Sequence, residues 1–493
     1  MNILIDTNIL IPLEDTGRKL DSKFAQLKRM VDQLGYRLYI HPAQFDDVNR
    51  DRNIGRREIM LSRAQQYQLV PNPPELTEAE RLRNGWAQTN DNGRVDNLLL
   101  HALHRGAVHL LISEDAGVRT KAAQVSIQER VYRLEQALEA LAKSTRPKQF
   151  DVPFGIKQRF LHEFDVRGPF FDSLREGYTG FDKWYLSGAR EQRQCWSIAN
   201  ESCTEIFALC IFKTEESPSV TDDQYVLPGK TLKLCTLKVS EEVQGRKVGE
   251  RLLHTAFKYA VEHHFEWLYI HSNFKHHGHL KDLCEAYGFS KVGEYNGDEV
   301  HAKPMRPGLL ADPPSAIEYA IQNYPFYRND DSISRYLIPI QPGYHETLFP
   351  DVSDWSMGLF REDNSTLRPQ SNTIKKAYLC HSPITTIKPG DLVLFYRSDD
   401  RRSVEVLGVV ETAVRSADIG EVMALVAKRT VYDMNELTEL VGSGVLVILF
   451  RMIKYIPAIS ADELTKMGIK GAIQTIRTIN QDAFDQIVTR SLP

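Results

Sequence analysis

The sequence predicts a multidomain chain of α/β and α+β folds, and three observations carry that expectation. Its 493 residues exceed what one ordinary core holds and suggest about three domains. Early in the chain, short apolar runs of strand length alternate with charged segments of helical period, the pattern of a parallel sheet with crossover helices. Late in the chain, apolar runs of strand length follow one another, which suits a small β-rich module. With 42% hydrophobic and 26% charged residues, the chain can bury real cores and has no overall signature of disorder.

Taken in order, ILID (3–6), RLYIH (37–41) and HLLIS (109–113) read as strands of the parallel sheet. Such sheets place their sites at the carboxyl ends of strands, and Asp6 and Asp115 both fall there. Asp47 lies early in the helix after Pro42, and Asp96 is expected to open the helix VDNLLLHALHRG, whose Leu98, Leu99, Ala102 and Leu103 form an apolar stripe. One Asp at a helix start is ordinarily a charge favoured by the helix dipole. Four acids in this arrangement would repel one another unless cations neutralised them, so the expectation is bound Mg²⁺ or Mn²⁺. Nearby, Arg50, Arg52, Arg56, Arg57 and Arg63 stand against Asp51 and Glu58, either as a phosphate grip or as a solvated helix face. Residues 144–155, broken by Pro147 and Pro153, read as a linker.

At this point residues 1–143 resemble a PIN domain, the nuclease fold of many bacterial ribonuclease toxins, with IDTN as its first motif and SEDAGVRTKA as its last. The resemblance matches Asp6, Asp96 and Asp115 to the family's aspartates. It places Asp47 where the family more often has Glu, with Asp46 as a competitor, and it matches Asn8 and Ser113 to polar positions that hold a metal-bound water or orient a carboxylate. It implies a metal-dependent ribonuclease in which Asp6, Asp47, Asp96 and Asp115 are both the catalytic residues and the metal ligands. Residues 126–143 admit one long helix from a capping box at Ser126 and Glu129; the resemblance instead asks for a short strand near Val131 to Arg133 and a helix from about Glu135, and this second reading is adopted.

In the middle of the chain, a strand runs to Val239, a short loop carries Gln244, Gly245 and Gly249, and a helix follows with Val248, Leu252, Leu253, Ala256, Phe257 and Ala260 on one face. A loop feeding a helix N-terminus offers unpaired N–H groups to a pyrophosphate. With its surroundings this region resembles the GNAT acyltransferases, which hold acetyl-CoA in a Q/R-x-x-G-x-G/A loop. The resemblance implies acetyl-CoA as cofactor, held by Leu237, Val239, Gln244, Gly245, Arg246, Lys247, Val248 and Gly249, with Lys247 standing where the family usually has Gly. WLYIHS (267–272) matches the family's fifth strand and YGF (287–289) the end of its last helix. In that register Cys284 takes the place of a tyrosine general acid, and Tyr287 lies three residues later. The histidines of KHHGH (His276, His277 and His279) lack the partners of a zinc site and read as loop residues.

After Pro304, a turn-rich stretch marks another boundary, and residues 386–398, 404–416 and 445–456 read as strands of a small barrel. KPGDLVLFYRS and GIKGAIQTIRTINQDAFDQI resemble PUA-like modules of the ASCH or EVE kind. That implies RNA or modified-nucleotide binding, with Trp355, Phe360, Tyr396, Arg397, Arg401 and Arg402 as stacking and phosphate-contacting residues.

The resulting division is a PIN-like parallel α/β/α sandwich (1–143), a linker (144–155), a mixed α/β GNAT domain (156–304), a linker (305–329) and a PUA-like β-barrel (330–493). By resemblance, the chain is a ribonuclease joined to an N-acetyltransferase, acting on RNA, tRNA included, as a toxin or phage-defence effector. An antitoxin or regulatory protein and self-association are compatible partners. Two alternatives are an acetyltransferase whose PIN domain binds or regulates, and a non-enzymatic sensor of acetyl-CoA or RNA. Six cysteines without a CxxC pattern favour a reducing cytoplasm. No run approaches the ~20 apolar residues of a membrane helix, and no basic leader precedes the first strand, so neither membrane nor export is expected. A net charge of −4 argues against a protein that coats polyanions generally.

Overall fold

The structure, a computed structural model, describes the chain except residues 15–21, 51–56, 58–59, 62–63, 65–66, 89, 145–154, 241–242, 244–246, 273–277, 350–373, 427–433, 443 and 491–493. It forms two compact units, one of Met1–Lys148 with Arg415–Val445, the other of Gln149–Val414 with Leu446–Pro493.

In the first unit the expected parallel sheet is present. Strands β1 (Asn2–Ile5), β2 (Arg37–Ile40), β3 (Gln68–Leu69), β4 (Leu110–Ile112) and β5 (Val131–Tyr132) run in the order β3-β2-β1-β4-β5, every pair parallel. Because both faces are covered, the strands read as continuous apolar runs rather than as alternations. On one face Ile3, Ile5, Ile40, Leu110 and Ile112 join Leu10 of α1 (Thr7–Glu14), Leu27 of α2 (Ser22–Gln33) and, far along the chain, Ala424. On the other, Leu4 and Leu111 meet Val95, Leu99 and Leu103 of a longer helix and Val118 of the one after β4. The strand at Val131 and the helix Leu134–Ser144 follow the adopted reading of residues 126–143. Helix Ile419–Val426 comes from within residues 330–493 yet belongs to this core. The Tyr132 hydroxyl donates to the Ala424 carbonyl at 2.6 Å, and Arg130 lies 3.6 Å from Glu421.

The second unit holds two sheets. Strands β6 (Lys157–Phe160), β7 (Gln194–Ala199), β8 (Ile206–Glu216), β9 (Lys230–Val239), β10 (Trp267–Ser272), β11 (Ser290–Tyr295) and β12 (Asp298–Pro304) form a mixed sheet ordered β11-β12-β10-β9-β8-β7-β6. Only β9 and β10 pair in parallel, joined by the crossover helix Val248–Glu262. The other sheet, β13 (Arg335–Ile340), β14 (Lys375–Cys380), β15 (Leu392–Arg397), β16 (Ser403–Ser416), β17 (Val445–Ser460) and β18 (Arg477–Thr478), runs β14-β17-β16-β15-β13-β18. The three predicted strands appear there as β15, β16 and β17. The expected barrel does not close among the described residues: the ladder ends at the two-residue β18 on one side and at β14 on the other, and these edges do not pair.

The two sheets of this unit share one apolar core, in which Phe257, Tyr287 and Tyr324 meet Leu337, Leu394 and Ile456. Gly288 is required by that packing. It sits at φ +82°, and a Cβ there would lie 1.9 Å from the Gln322 carbonyl oxygen. No helix among the described residues is long and apolar enough to cross a membrane.

Candidate active sites

Two places gather reactive groups. In the first unit, β1 is paired on both sides, so Asp6 emerges at the centre of the sheet's carboxyl edge and is 5% exposed. Its carboxylate accepts from the Thr7 amide (2.6 Å), the Asn8 side-chain amide (2.7 Å) and the Ser113 hydroxyl (2.6 Å). Ser113 directly follows β4, and its hydroxyl oxygen accepts from the Asp115 amide at 3.1 Å. Asp115 is the N-cap of the helix Ala116–Gln124, accepting from Gly117 (2.5 Å) and Val118 (3.1 Å). Asp96 does not open its helix as expected. That helix begins at Asp91 behind the cap Asn90, so Asp96 lies inside it, 3.6 Å from the Lys121 ammonium. Asp47 lies in the first turn of helix Gln44–Asn49, where it accepts from the Thr7 hydroxyl at 3.1 Å and pairs with Arg50; Asp46 turns to Arg94 at 2.5 Å.

Electrostatics tie three of the four acids together. Burial pushes Asp6 up to about 6, against its Ser113 and Thr7 hydrogen bonds, and the charges of Asp96 and Asp115 add to the rise. Asp96 is raised by its own burial, Lys121 opposing and Asp115 adding. Asp96 and Asp115 raise Asp6, and Asp115 raises Asp96, but the side chains are not arranged to share an ion. Among the described residues, no three His, Cys, Asp or Glu groups converge on one point. The Mg²⁺ or Mn²⁺ centre expected from Asp6, Asp47, Asp96 and Asp115 is therefore not formed by them as they stand. The physical reason is that the chain supplies its own partners: amides and hydroxyls to Asp6, a helix N-terminus to Asp115, Lys121 to Asp96 and Arg50 to Asp47. Of the neighbouring arginines, Arg57 donates to the Asn49 carbonyl at 3.4 Å, and Arg52, Arg56 and Arg63 lie outside the described residues.

The second place is the parallel pair of the second unit. β9 and β10 are in register from Thr231–Trp267 to Leu234–Ile270, where the pairing stops, although β9 continues to Val239 and β10 to Ser272. A bulge coincides with the parting: Ile211 of β8 pairs with Thr236 and Phe212 with Leu234, leaving Cys235 extra. The extra residue shifts the alternation, so Leu237 and Val239 join Leu232 and Leu234 against the core that receives helix Val248–Glu262. Gly249, in the first turn of that helix, faces the same two side chains. A Cβ on it would stand 3.6 Å from Leu237 and 3.7 Å from Val239, so the protein's own packing does not demand glycine there. Lys247, just before the helix, sits at φ 58°, a conformation glycine adopts freely. Val248 is buried, and Gln244, Gly245 and Arg246 lie outside the described residues.

Neither residue considered for proton donation faces this opening. Cys284 and Tyr287 are each 1% exposed within the core, and the Tyr287 hydroxyl donates to Glu250. Burial pushes the Cys284 thiol up to about 12. On the opposite face of the sheet, β8, β9 and β10 present Lys213, Glu215, Lys233, Tyr269 and His271, a group that the motif-based reading missed. The alternation of WLYIHS, with Trp267, Tyr269 and His271 on one side, was its one sequence signal.

Tyr396 and Arg397 are buried, and the Arg397 guanidinium donates to Asp400 at 2.8 Å and to Glu346 at 2.7 Å, so it is committed within the protein. Arg401 lies 3.5 Å from Glu405. Trp355, Phe360, His276 and His277 lie outside the described residues.

No protein-family model and no curated protein matches the chain. Solved structures resembling parts of it include the ASCH protein of Zymomonas mobilis, at 13% identity and TM-score 0.25 over 31% of this chain and 94% of that one. Aminoglycoside 6'-acetyltransferase type Ii matches at 18% identity and TM-score 0.23, over 31% of this chain and 99% of the other. A mutant of the toxin AtaT matches at 14% identity and TM-score 0.22, over 32% and 93%.

Proposed function

We propose that the second unit is an acyltransferase that takes an acetyl group from acetyl-CoA to an amine. The observation that carries this reading is the parting of β9 and β10 beyond Leu234 and Ile270, beside the N-terminus of their own crossover helix. A parallel pair opening at its carboxyl ends is where such sheets bind ligands. Unpaired edge groups of β9 suit the amides of a pantetheine arm, and the helix start suits a pyrophosphate. Leu237, Val239 and the backbone from Lys247 to Gly249 would hold the group, which supplies an activated thioester; Lys247 adds positive charge. Calorimetry with acetyl-CoA tests the reading. Binding is expected for the wild type, with at least about a tenfold loss in Gly249→Glu, whose side chain would start against Leu237 and Val239, two of the residues proposed to hold the cofactor. No binding by a folded wild type sinks it.

A second reading, RNA cleavage by the first unit, is favoured by one observation: burial raises both Asp6 and Asp96 from their ordinary value, and the charge of Asp96 adds to the rise at Asp6. Cleavage of an RNA pool with Mn²⁺ present should be lost in Asp6→Asn with the fold intact. Equal cleavage by the two proteins would end that reading.

A further inference from the structure

We propose that His271 accepts the proton released by the amine during acyl transfer; the inference rests on the acyltransferase reading above. His271 is the first residue of β10 beyond the last pair with β9, so it stands at the mouth of the opening. It follows Tyr269 by two residues and shares its face, opposite Leu268 and Ile270, which belong to the core on the crossover-helix side.

The surroundings are built rather than incidental. Lys213 and Glu215 of β8 lie 2.5 Å apart, the Tyr269 hydroxyl donates to Glu215, and the Lys233 ammonium stands 5.3 Å above the Tyr269 ring. The rings of Tyr269 and Tyr295 flank the imidazole at 5.3 Å and 5.2 Å. The Nε2 of His271 is shielded from solvent and has no hydrogen-bond partner among the described residues, an arrangement that a bound N–H would satisfy.

The groups facing the imidazole are Lys213 and Glu215 from β8, Lys233 from β9, Tyr269 from its own strand and Tyr295 from β11. Burial first, then Lys233 and Lys213, hold the imidazole down to about 4 against the pull of Glu215, so it is neutral at physiological pH. The two ammonium groups also disfavour a charged amine beside them and so favour the nucleophilic free base. The other candidates for proton transfer, Cys284 and Tyr287, are sealed in the core.

In the step itself, the acceptor nitrogen bonds to the carbonyl carbon of the thioester as the carbon–sulfur bond breaks. The sulfur leaves with the electron pair, and the proton shed by the nitrogen passes to His271 and from it to the thiolate, so the step balances without a proton from outside.

The test compares the full-length wild type with His271→Gln and His271→Ala, using acetyl-CoA and poly-L-lysine as the amine probe. The expected result is unchanged acetyl-CoA affinity by calorimetry in all three, with transfer slowed on the order of 100-fold in both variants. Added imidazole should restore part of the rate in His271→Ala only. Transfer by His271→Gln within about threefold of wild type, or a wild type that binds acetyl-CoA but transfers nothing to the probe, overturns the role of His271 while leaving the acyl-CoA site standing. A loss of affinity in the variants that matches their loss of rate also overturns it, because the residue would then be a binding contact. Failure of the wild type to bind acetyl-CoA removes the acyltransferase reading itself.

Discussion

Lys247 shows how a departure from a motif is absorbed by a single backbone. Its φ of 58° is a left-handed conformation that costs an L-residue roughly 1–2 kcal/mol, less for a long unbranched side chain than for a β-branched one. Glycine would remove that cost but add unfolded-state entropy worth about 0.4–1 kcal/mol, so the two effects partly cancel and at most about 1 kcal/mol of stabilisation remains. Lys247→Gly should therefore leave the melting temperature within a few degrees of wild type, whereas Lys247→Val should lose about 1–2 kcal/mol by denaturant titration. A Val variant as stable as wild type would mean that the loop relaxes out of this conformation. Asp6 is the opposite case. The resemblance matched Asn8 and Ser113 to positions that can orient a carboxylate, and both donate to Asp6, Ser113 from 107 residues away through the β1–β4 pairing.

At the scale of elements, the bulge at Cys235 does what neither strand could do alone. β9 reads in sequence as one strand whose apolar residues change parity, from Leu232 and Leu234 to Leu237 and Val239. The slip is located against β8, where Thr236 and Leu234 pair with consecutive residues. That slip turns Leu237 and Val239 to the core face. The crossover helix is also anchored beyond its own sheet. Glu250, in its first turn, accepts from the Ile374 amide at 2.8 Å, the Lys375 amide at 3.3 Å and the Tyr287 hydroxyl. Arg451 of β17, 1% exposed, lies 2.5 Å from Glu411 and donates to the Ala286 carbonyl at 2.7 Å. These buried charges are satisfied by partners distant in sequence, so periodicity alone could place them only as surface residues.

Across the whole molecule, the buried imidazoles set an acid sensitivity with a definite sign. Burial lowers His41 and His271 to about 4 and His345 to about 3, each below the ordinary value of 6.5. The folded state therefore resists protonation that the unfolded chain accepts. The stability these groups contribute is complete above pH 6.5 and is lost as pH falls through 6.5 toward 4. Asp6 works in the other direction. Raised from 3.8 to about 6, it takes up a proton in the folded state first, so its contribution is present at low pH and is lost as pH rises through 6. Between pH 7.5 and 5.5 the three imidazoles should cost about 1 kcal/mol each, with Asp6 returning somewhat less than 1 kcal/mol. Thermal melts should show the fall, and in Asp6→Asn it should be steeper. A melting temperature that is flat or rises on acidification would contradict these burials.

What the sequence determined by itself was local and periodic. The strands of the parallel sheet, the crossover helix after Val239 and the three long runs of the last sheet all follow from apolar patterning, because burial on a face imposes a period that one segment can display. The acids of the first unit could likewise be listed from their positions at strand and helix ends. Only the tertiary structure decided what those positions mean. It set Lys121 beside Asp96, parted β9 from β10, sealed Cys284 and Tyr287 in a core, and left His271 at the opening. It also placed helix Ile419–Val426, far along the chain, in the core of the first unit. These outcomes depend on which groups from separate segments meet, and that is a property of strand order and register that no single segment carries.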